Sequence, residues 1–495
     1  MPGLNASLYL GLSGLQAQQS ALNVVGQNIA NVNTPGYTRQ RADLTTNFSQ
    51  IEGQVYFGTG VSLTSVQGIR DRFLELQIYR ETAKQTGAQE RYTGLNAIAG
   101  SLADTGSSGI AAQIQAFFQG VQDLSAQPDN AALRANLINK AQGMVSAMKS
   151  RYQLLDDQRN SADQSVRSLV TEVNTLTKQI STLNQSIMTE ATPGANNAAR
   201  DQRKALTDKL AELVGISVFE GAKGEYQITL DSGAGVLVNG TSSYDLSTSA
   251  GGALDGKSSV MLGASFDVTA GIKEGALGAK LDLRDTILPG FQKQLDELAA
   301  GITSQVNLLN RSGYAPGGAA PTGTDFFRGL VANDASGLPT SLSPTAANPY
   351  KGMVAALAVN AAVVANPSLI ATAGAPVPPA VTAAVGDNRN AKAMASLQAK
   401  GDSGLGGVVL GSSYASVVGT LVSDVGNAVQ TWDTNATAQQ NLVLALQNQR
   451  DSISGVNLDE EASSMMTLQR GYQASARFIS VINQLTDQLV NQFGK

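Results

Sequence analysis

A ten-residue run near the amino terminus ends one helical pattern and begins a turn. It reads Asn28-Ile29-Ala30-Asn31-Val32-Asn33-Thr34-Pro35-Gly36-Tyr37. Proline fixes its own φ angle and biases the preceding residue away from helix, while Asn and Gly are turn formers. We therefore predict that a helix stops here and that a tight turn follows.

The residues before this run carry the pattern of a helix that packs against another helix. Apolar side chains recur there every seven residues, which is typical of a coiled-coil seam. They are Leu8, Leu15, Leu22 and Ile29. No charged residue precedes Arg39, and an uncharged helix suits a crowded protein interior, where an unpaired charge is costly.

The carboxyl-terminal residues repeat this design. Apolar residues step by three and four, and Ser475 and Thr486 are the interruptions of the apolar side. The predicted packing positions are Met465, Leu468, Tyr472, Ile479, Ile482, Leu489 and Phe493. The acidic run 459–461 precedes this helix, where carboxylates favour the positive end of the helix dipole. We predict a solvated or capping role for that run.

Between the ends, the patterns predict a mainly α fold with inserted β structure. Helical stripes over 138–187, 277–309 and 418–453 predict an elongated antiparallel bundle. Alternating runs between Gly-rich turns predict a β domain inserted at 215–272. The Pro-, Ala- and Gly-rich residues 316–399 are compatible with a second small domain or a flexible excursion. The predicted division is 1–38 plus 456–495 (terminal helices), 39–214 plus 273–315 plus 400–455 (bundle with a hairpin region), 215–272 and 316–399.

Composition narrows the possible functions. The 495 residues carry 34 basic and 39 acidic side chains, a net charge of -5, without a basic cluster for phosphates. The absence of Cys and His excludes disulfides, ordinary zinc sites and His-based catalysis. We expect no catalytic residue, cofactor, metal or nucleic-acid partner. A carboxylate-based glycosidase in the inserted middle stays formally open. The first segment lacks the pattern of a cleavable signal or a membrane span.

Residues 22–37 resemble the amino-terminal signature of the flagellar rod, hook and hook-associated proteins, a family of axial subunits. The continuation Thr38-Arg39-Gln40-Arg41 is similar to hook-associated protein 1 rather than to hook or rod subunits. Residues 454–462 and 469–477 resemble the matching carboxyl-terminal signature, and 281–285 resemble a returning bundle helix. The motif positions are Asn28, Asn31, Asn33, Thr34, Pro35, Gly36, Tyr37, Arg39 and Gln40.

This resemblance implies a structural protein of the bacterial flagellum, located outside the cell at the hook–filament junction. It implies terminal helices paired as a coiled coil that lines an inner tube, export in the unfolded state, and self-assembly into a ring. The implied partners are further copies of the chain, the hook protein, the next hook-associated protein and an export chaperone at the carboxyl-terminal helix. The alternatives are another axial subunit, of the hook or the filament side, or a surface protein whose inserted domain binds host ligands.

Overall fold

The computed structural model describes residues 2–34, 36–48, 50–52, 55–102, 106–190, 196–249, 256–328, 350–400 and 413–493. The fold is mainly helical with small antiparallel sheets, which confirms the predicted class. The helices are α1 (Pro2–Ala30), α2 (Arg72–Leu102), α3 (Ile110–Ala126), α4 (Ala131–Met188), α5 (Asn197–Leu213), α6 (Gly275–Asp282), α7 (Leu288–Ser312), α8 (Met353–Ala356), α9 (Ala361–Ala365), α10 (Arg389–Lys400), α11 (Tyr414–Ser454) and α12 (Leu458–Phe493).

The strands form short antiparallel sheets. Strand β1 (Gln40–Thr46) pairs with β4 (Val61–Gly68), and β2 (Gln50–Glu52) pairs with β3 (Val55–Phe57). One sheet has the order β5 (Ile216–Glu220), β6 (Tyr226–Leu230), β7 (Val236–Asn239) and β8 (Ser242–Ser243). Another has β10 (Ser259–Leu262) between β9 (Leu246–Ser249) and β11 (Phe266–Asp267). Strand β12 (Phe327–Arg328) pairs with β13 (Ala358–Val359).

The chain divides into two compact units. The terminal unit comprises residues 1–87, 167–278 and 436–495, and the central unit comprises 88–166 and 279–435. The predicted stripes lie within α4, within α6 and α7, and within α11, and α11 ends at Ser454, where the apolar pattern slips phase. The finer division into four sequence domains stays a prediction.

An aromatic cluster marks the core of the central unit. Phe117, on α3, contacts Phe326 and Phe327 with ring centroids 5.9 and 5.6 Å apart. Phe118 stacks on Tyr414 with centroids 5.7 Å apart. Because Phe326 and Phe327 are fully buried, the described residues at the start of the 316–399 stretch share a core with the helices. Residues 329–349 lie outside the described part.

A buried arginine ties the second half of that stretch to α4. The Arg134 guanidinium donates to the carbonyl oxygens of Pro128 at 2.5 Å, Ile370 at 2.7 Å and Pro367 at 3.2 Å, and to Thr372 Oγ1 at 3.1 Å. Burial lowers the pKa of Arg134 to about 10. Its charge is dispersed over neutral acceptors, so the side chain serves as a fixed hub for a segment rich in Pro and Ala.

Residues 281–285 lie at a π turn. The turn, Leu283–Ile287, lies between α6 and α7 and displaces side chains by part of a helical turn. Arg284 is fully buried there, and its guanidinium donates to Asp163 Oδ1 at 2.6 Å and to Asp285 Oδ2 at 2.7 Å. The basic residue is thus a packing element of the helices, because its charge is matched inside the core.

Two asparagines of α4 attach the β structure of the terminal unit. Asn174 donates to Leu246 O at 2.7 Å and accepts from Leu246 N at 2.8 Å. Asn184 donates to Tyr226 O at 2.9 Å and accepts from Tyr226 N at 3.0 Å. Each side-chain amide pairs with both backbone groups of one residue, as a neighbouring strand would. The inserted sheets are therefore docked on α4 in a defined register.

Replacing Arg134 with methionine removes the donor from four buried acceptors while keeping the apolar stem. We expect the free energy of unfolding, measured by urea denaturation, to fall by about 1–3 kcal/mol. Arg328→Met removes the same charge from an exposed position of β12 and should change it by less than about 0.5 kcal/mol. Equal effects of the two substitutions would contradict the hub role of Arg134.

Candidate functional site

Helices α1 and α12 pack against each other in antiparallel directions. Glycines on both helices show the register, since a Cβ placed on each would lie 2.8 to 3.2 Å from a side-chain atom of the other helix. The facing pairs are Gly11 with Ile479, Gly14 with Ser475, and Gly471 with Gln18. Residue numbers fall along one helix as they rise along the other, so the chain ends pair within one molecule.

The small residues allow close approach of the two helices. Ser475 lies against Gly14, with the serine Oγ 3.2 Å from the position of a glycine Cβ. A large apolar side chain at position 475 would therefore not fit without moving one helix. The apparent interruption of the apolar pattern at Ser475 is a requirement of this packing.

The predicted seam residues are only partly buried. This holds for Leu8, Leu15, Leu22, Ile29, Met465, Leu468, Tyr472, Ile479, Ile482 and Leu489. The side chain of Phe493 lies outside the described part of the chain. On α1, the most buried apolar side chains are Ala17, Ala21, Val24 and Val25, because α1 also packs on β1 and β4. The prediction used the heptad leucines and missed this second packed face.

Asn28, at the last turn of α1, is the centre of a buried hydrogen-bond network. Its Nδ2 donates to Gln40 O at 2.8 Å and to Glu461 Oε2 at 3.1 Å. Its Oδ1 accepts from Gln40 N and from the Tyr37 hydroxyl, both at 2.9 Å. Asn28 is 1% exposed, so one side chain joins α1, the turn, β1 and α12.

Arg39, just before β1, binds α12 through charge and binds two further segments through its backbone. Its Nε donates to Glu461 Oε1 at 2.7 Å, and its Nη1 donates to Glu460 Oε2 at 2.7 Å. The Glu461 side chain is 3% exposed and that of Glu460 is 59% exposed. The Arg39 backbone N–H donates to Ser454 O at 3.0 Å, and its carbonyl accepts from Ile69 N at 2.8 Å. We call Asn28, Tyr37, Arg39 and Glu461 the terminal lock.

Burial stabilises the protonated form of Tyr37. It raises the pKa of the phenol to about 12, and the negative charges of Asp201 and Glu461 act in the same direction. The phenol is therefore protonated at neutral pH. In that form it donates to Asn28 Oδ1, as the geometry requires.

The other motif positions build the turn. Asn31 Nδ2 donates to Gln27 O at 3.0 Å, and Thr34 Oγ1 donates to Asn31 Oδ1 at 3.1 Å. Gly36 has a φ of +79°, a conformation that favours glycine. Asn33 is exposed, Gln40 contributes its backbone groups to the lock, and Pro35 lies outside the described residues.

The acidic run 459–461 lies in the first turn of α12 and not before the helix, and its residues differ in role. Asn457 is the capping residue, since its Oδ1 accepts from Asp459 N at 3.0 Å and Glu460 N at 3.4 Å. Glu461 neither caps nor faces solvent; it is buried against Arg39 and Asn28. The prediction was wrong for Glu461 because a local pattern cannot reveal a partner more than 400 residues away. The available signal for this contact was the motif-like sequence at both ends of the chain.

Comparisons with known proteins identify the family of the chain. The model for "Flagellar hook-associated protein FlgK helical domain" matches residues 95–327, "Flagella basal body rod protein" matches 8–38, and "Flagellar basal body rod FlgEFG protein C-terminal" matches 447–492. The chain is 30% identical to flagellar hook-associated protein 1 of Escherichia coli K12, over 97% of this chain and 98% of that protein. The chain belongs to the flagellar hook-associated protein 1 family.

Further members of the hook-associated protein 1 family match over similar lengths. The Salmonella typhimurium protein is 31% identical over 97% of this chain and 98% of its own, and the Bacillus subtilis protein is 27% identical over 99% of both. The flagellar hook junction protein FlgK from Burkholderia pseudomallei has a similar fold. Its TM-score is 0.64 at 18% identity, over 76% of this chain and 100% of that chain.

Family membership makes this chain a structural flagellar hook-associated protein and not an enzyme. Among the described helices, none has a stretch long and apolar enough to cross a membrane. The lock and the paired helices are therefore structural elements rather than a site of chemistry.

Glu461→Gln keeps the volume of the side chain but removes the charge that faces Arg39 and one acceptor of Asn28. We expect the free energy of unfolding to fall by about 1–3 kcal/mol, with faster hydrogen exchange at the ends of α1 and the start of α12. The measurements are urea denaturation and hydrogen exchange of the full chain.

Glu460→Gln is the matched control. It removes the same charge from an exposed carboxylate that also pairs with Arg39. The free energy of unfolding should fall by at most about 1 kcal/mol. If both variants exchange and unfold alike, the terminal lock does not hold the ends together.

Proposed function

We propose that this chain is the adaptor that joins the hook to the filament and assembles into a ring between them. The observation that carries this proposal is the intrachain pairing of α1 and α12, fixed by the terminal lock. Such pairing gives each subunit one rigid terminal element whose orientation relative to β1 and β4 is set. A ring that must match two different lattices requires that rigidity, since small rotations of each subunit accumulate around a closed assembly.

The terminal helices retain apolar surface that a neighbour could cover. Phe478, Val481 and Leu485 form a stripe on α12, and their exposed fractions are 40%, 51% and 45%. Leu12, on α1, is 42% exposed. Contiguous apolar residues on a helix face mark interaction surfaces more often than isolated ones do. In the proposed ring these faces contact other copies of the chain, the hook protein below and the next hook-associated protein above.

Export and chaperone binding extend the same proposal. An uncrosslinked chain can be unfolded for transport through a narrow channel, and this sequence contains no cysteine. Before assembly, the apolar stripe of α12 needs protection, and an export chaperone would bind it as a groove binds an amphipathic helix. The proposed location is outside the cell at the hook–filament junction. The inserted β domain at 215–272 would face outward.

A complementation experiment tests the adaptor role. Deleting the gene in its host should leave intact hooks without filaments, with flagellin shed into the medium, and the wild-type gene should restore filaments and swimming. Val481→Asp should fail to restore them, because it places a charge on the exposed stripe of α12 without entering a core. The readouts are electron microscopy, flagellin in the medium and swimming.

Val381→Asp provides the control, since Val381 is 80% exposed in the central unit and the introduced charge is the same. It should restore swimming. Normal filaments in the deletion strain would rule out the adaptor role, whereas full restoration by Val481→Asp would rule out the α12 stripe as its contact surface.

A further inference from the structure

A cleft of about 780 Å³ opens in the terminal unit, apart from the terminal lock. It lies at the end of α4, the start of α5, the end of β4 and the turn between β5 and β6. Ile187 and Met188 form an apolar part of its wall. Its charged lining consists of Arg70, Arg72, Glu190, Arg200, Glu220 and Lys223. A cleft of this size is in the range of small-molecule sites, roughly 300–1,000 Å³.

The two carboxylates of the lining are already engaged by protein donors. Glu190 Oε1 accepts from Arg200 Nη2 at 2.5 Å, and its Oε2 accepts from Asn196 N at 2.8 Å. Glu220 Oε2 lies 3.0 Å from Arg72 Nε. Arg70 is also paired, because its Nη2 donates to Asp201 Oδ1 at 2.6 Å. Each guanidinium of the lining therefore has a carboxylate partner, and Lys223 gives the lining its excess positive charge.

Lys223 is the cation with the fewest interactions. In the described part of the chain its ammonium has no carboxylate partner, and its exposed side chain stands on the turn between β5 and β6. The backbone N–H of Lys223 donates to Glu225 Oε2 at 3.0 Å, which holds the turn. Arg72, across the cleft, keeps 73% of its side chain exposed. Both groups can reach a ligand without rearrangement of the core.

Further positive charge lies behind this lining. Arg203 is fully buried, with its guanidinium 3.5 Å from the centroid of the Tyr226 ring. Its Nε and Nη2, together with Arg200 Nη1, are buried without a hydrogen-bond acceptor. Burial lowers the pKa of Arg203, whereas Tyr226 and Glu220, whose Oε1 lies 3.9 Å from Arg203 Nη2, raise it. The neighbouring Arg200 and Arg70 lower it further. In native structures, buried donors of this kind are usually paired with ordered water or with an ion.

We propose that this cleft binds a small multivalent oxyanion, such as a polycarboxylate or phosphate, held by Lys223 and Arg72 over the Arg70–Arg200 wall. Guanidinium and ammonium groups form their strongest hydrogen bonds with such oxygens. The carbon skeleton of a polycarboxylate would contact Ile187 and Met188. The bound anion would also offset the mutual repulsion of the buried arginines. This site is independent of the proposed adaptor role.

Isothermal titration calorimetry of the full chain tests the proposal. The probes are citrate and, in a separate titration, inorganic phosphate, both at constant ionic strength. We expect saturable binding of at least one probe at a single site. Lys223→Ala and Arg72→Ala should each weaken it about tenfold, the effect of losing one charge-assisted hydrogen bond. Circular dichroism establishes that these exposed-site variants are folded.

Lys209→Ala, on α5, is the matched control, because it removes an exposed lysine that does not line the cleft. Its affinity should stay within about twofold of wild type, a difference well below one charged contact. Binding of citrate alone or of phosphate alone supports the proposal and assigns the anion. Absence of saturable binding by both probes at millimolar concentration, or equal affinities in all variants, overturns it.

Discussion

The buried contact between Glu461 and the Arg39–Asn28 pair is the constraint on which the terminal unit depends. A carboxylate removed from water is tolerated only when charge and hydrogen bonds replace its hydration. Both oxygens of Glu461 receive them, from Arg39 and Asn28. Because these partners lie at the end of α1 and the start of β1, the chain ends can meet in one register. A shift of either helix would leave the Glu461 carboxylate buried without these partners.

The lock and the glycine contacts act on different parts of the α1–α12 pair. The lock fixes one end of the helix pair, while Gly11, Gly14 and Gly471 let the helices approach along its length. Such packing depends on small residues, so it leaves much of the larger apolar surface of α12 outside the intrachain contact. In the proposed ring that division is useful, because the fold of one chain leaves apolar surface for contacts with its neighbours.

Periodicity in the sequence predicted the long helices well. The stripes at 138–187 and 418–453 lie within α4 and α11, because apolar spacing directly reflects which face is buried. The strands β6 and β7 were also visible as alternating runs between glycines. The role of Arg134 was not, since its acceptors are backbone groups brought together by the fold.

The terminal lock was predictable only in part. The turn chemistry of Asn31, Thr34 and Gly36 is local and could be read from residue types. The burial of Glu461 is a non-local property, and its position in the first turn of a helix suggested capping instead. Likewise, the heptad leucines indicated a partner helix for α1 but not the additional contact with β1 and β4. An apolar pattern shows which face of a helix is buried, but it does not show which element packs against that face.

Disulfide crosslinking tests the antiparallel register of α1 and α12 most directly, because the chain has no cysteine of its own. A Cβ at Gly14 would lie 4.0 Å from the Ser475 Cβ, inside the range of disulfides, roughly 3.5–4.5 Å. In monomeric Gly14→Cys/Ser475→Cys protein we predict rapid oxidation to an intrachain disulfide, and little in the exposed pair Gly14→Cys/Ser480→Cys. Equal crosslinking of both pairs, or crosslinking only between chains, would contradict the account.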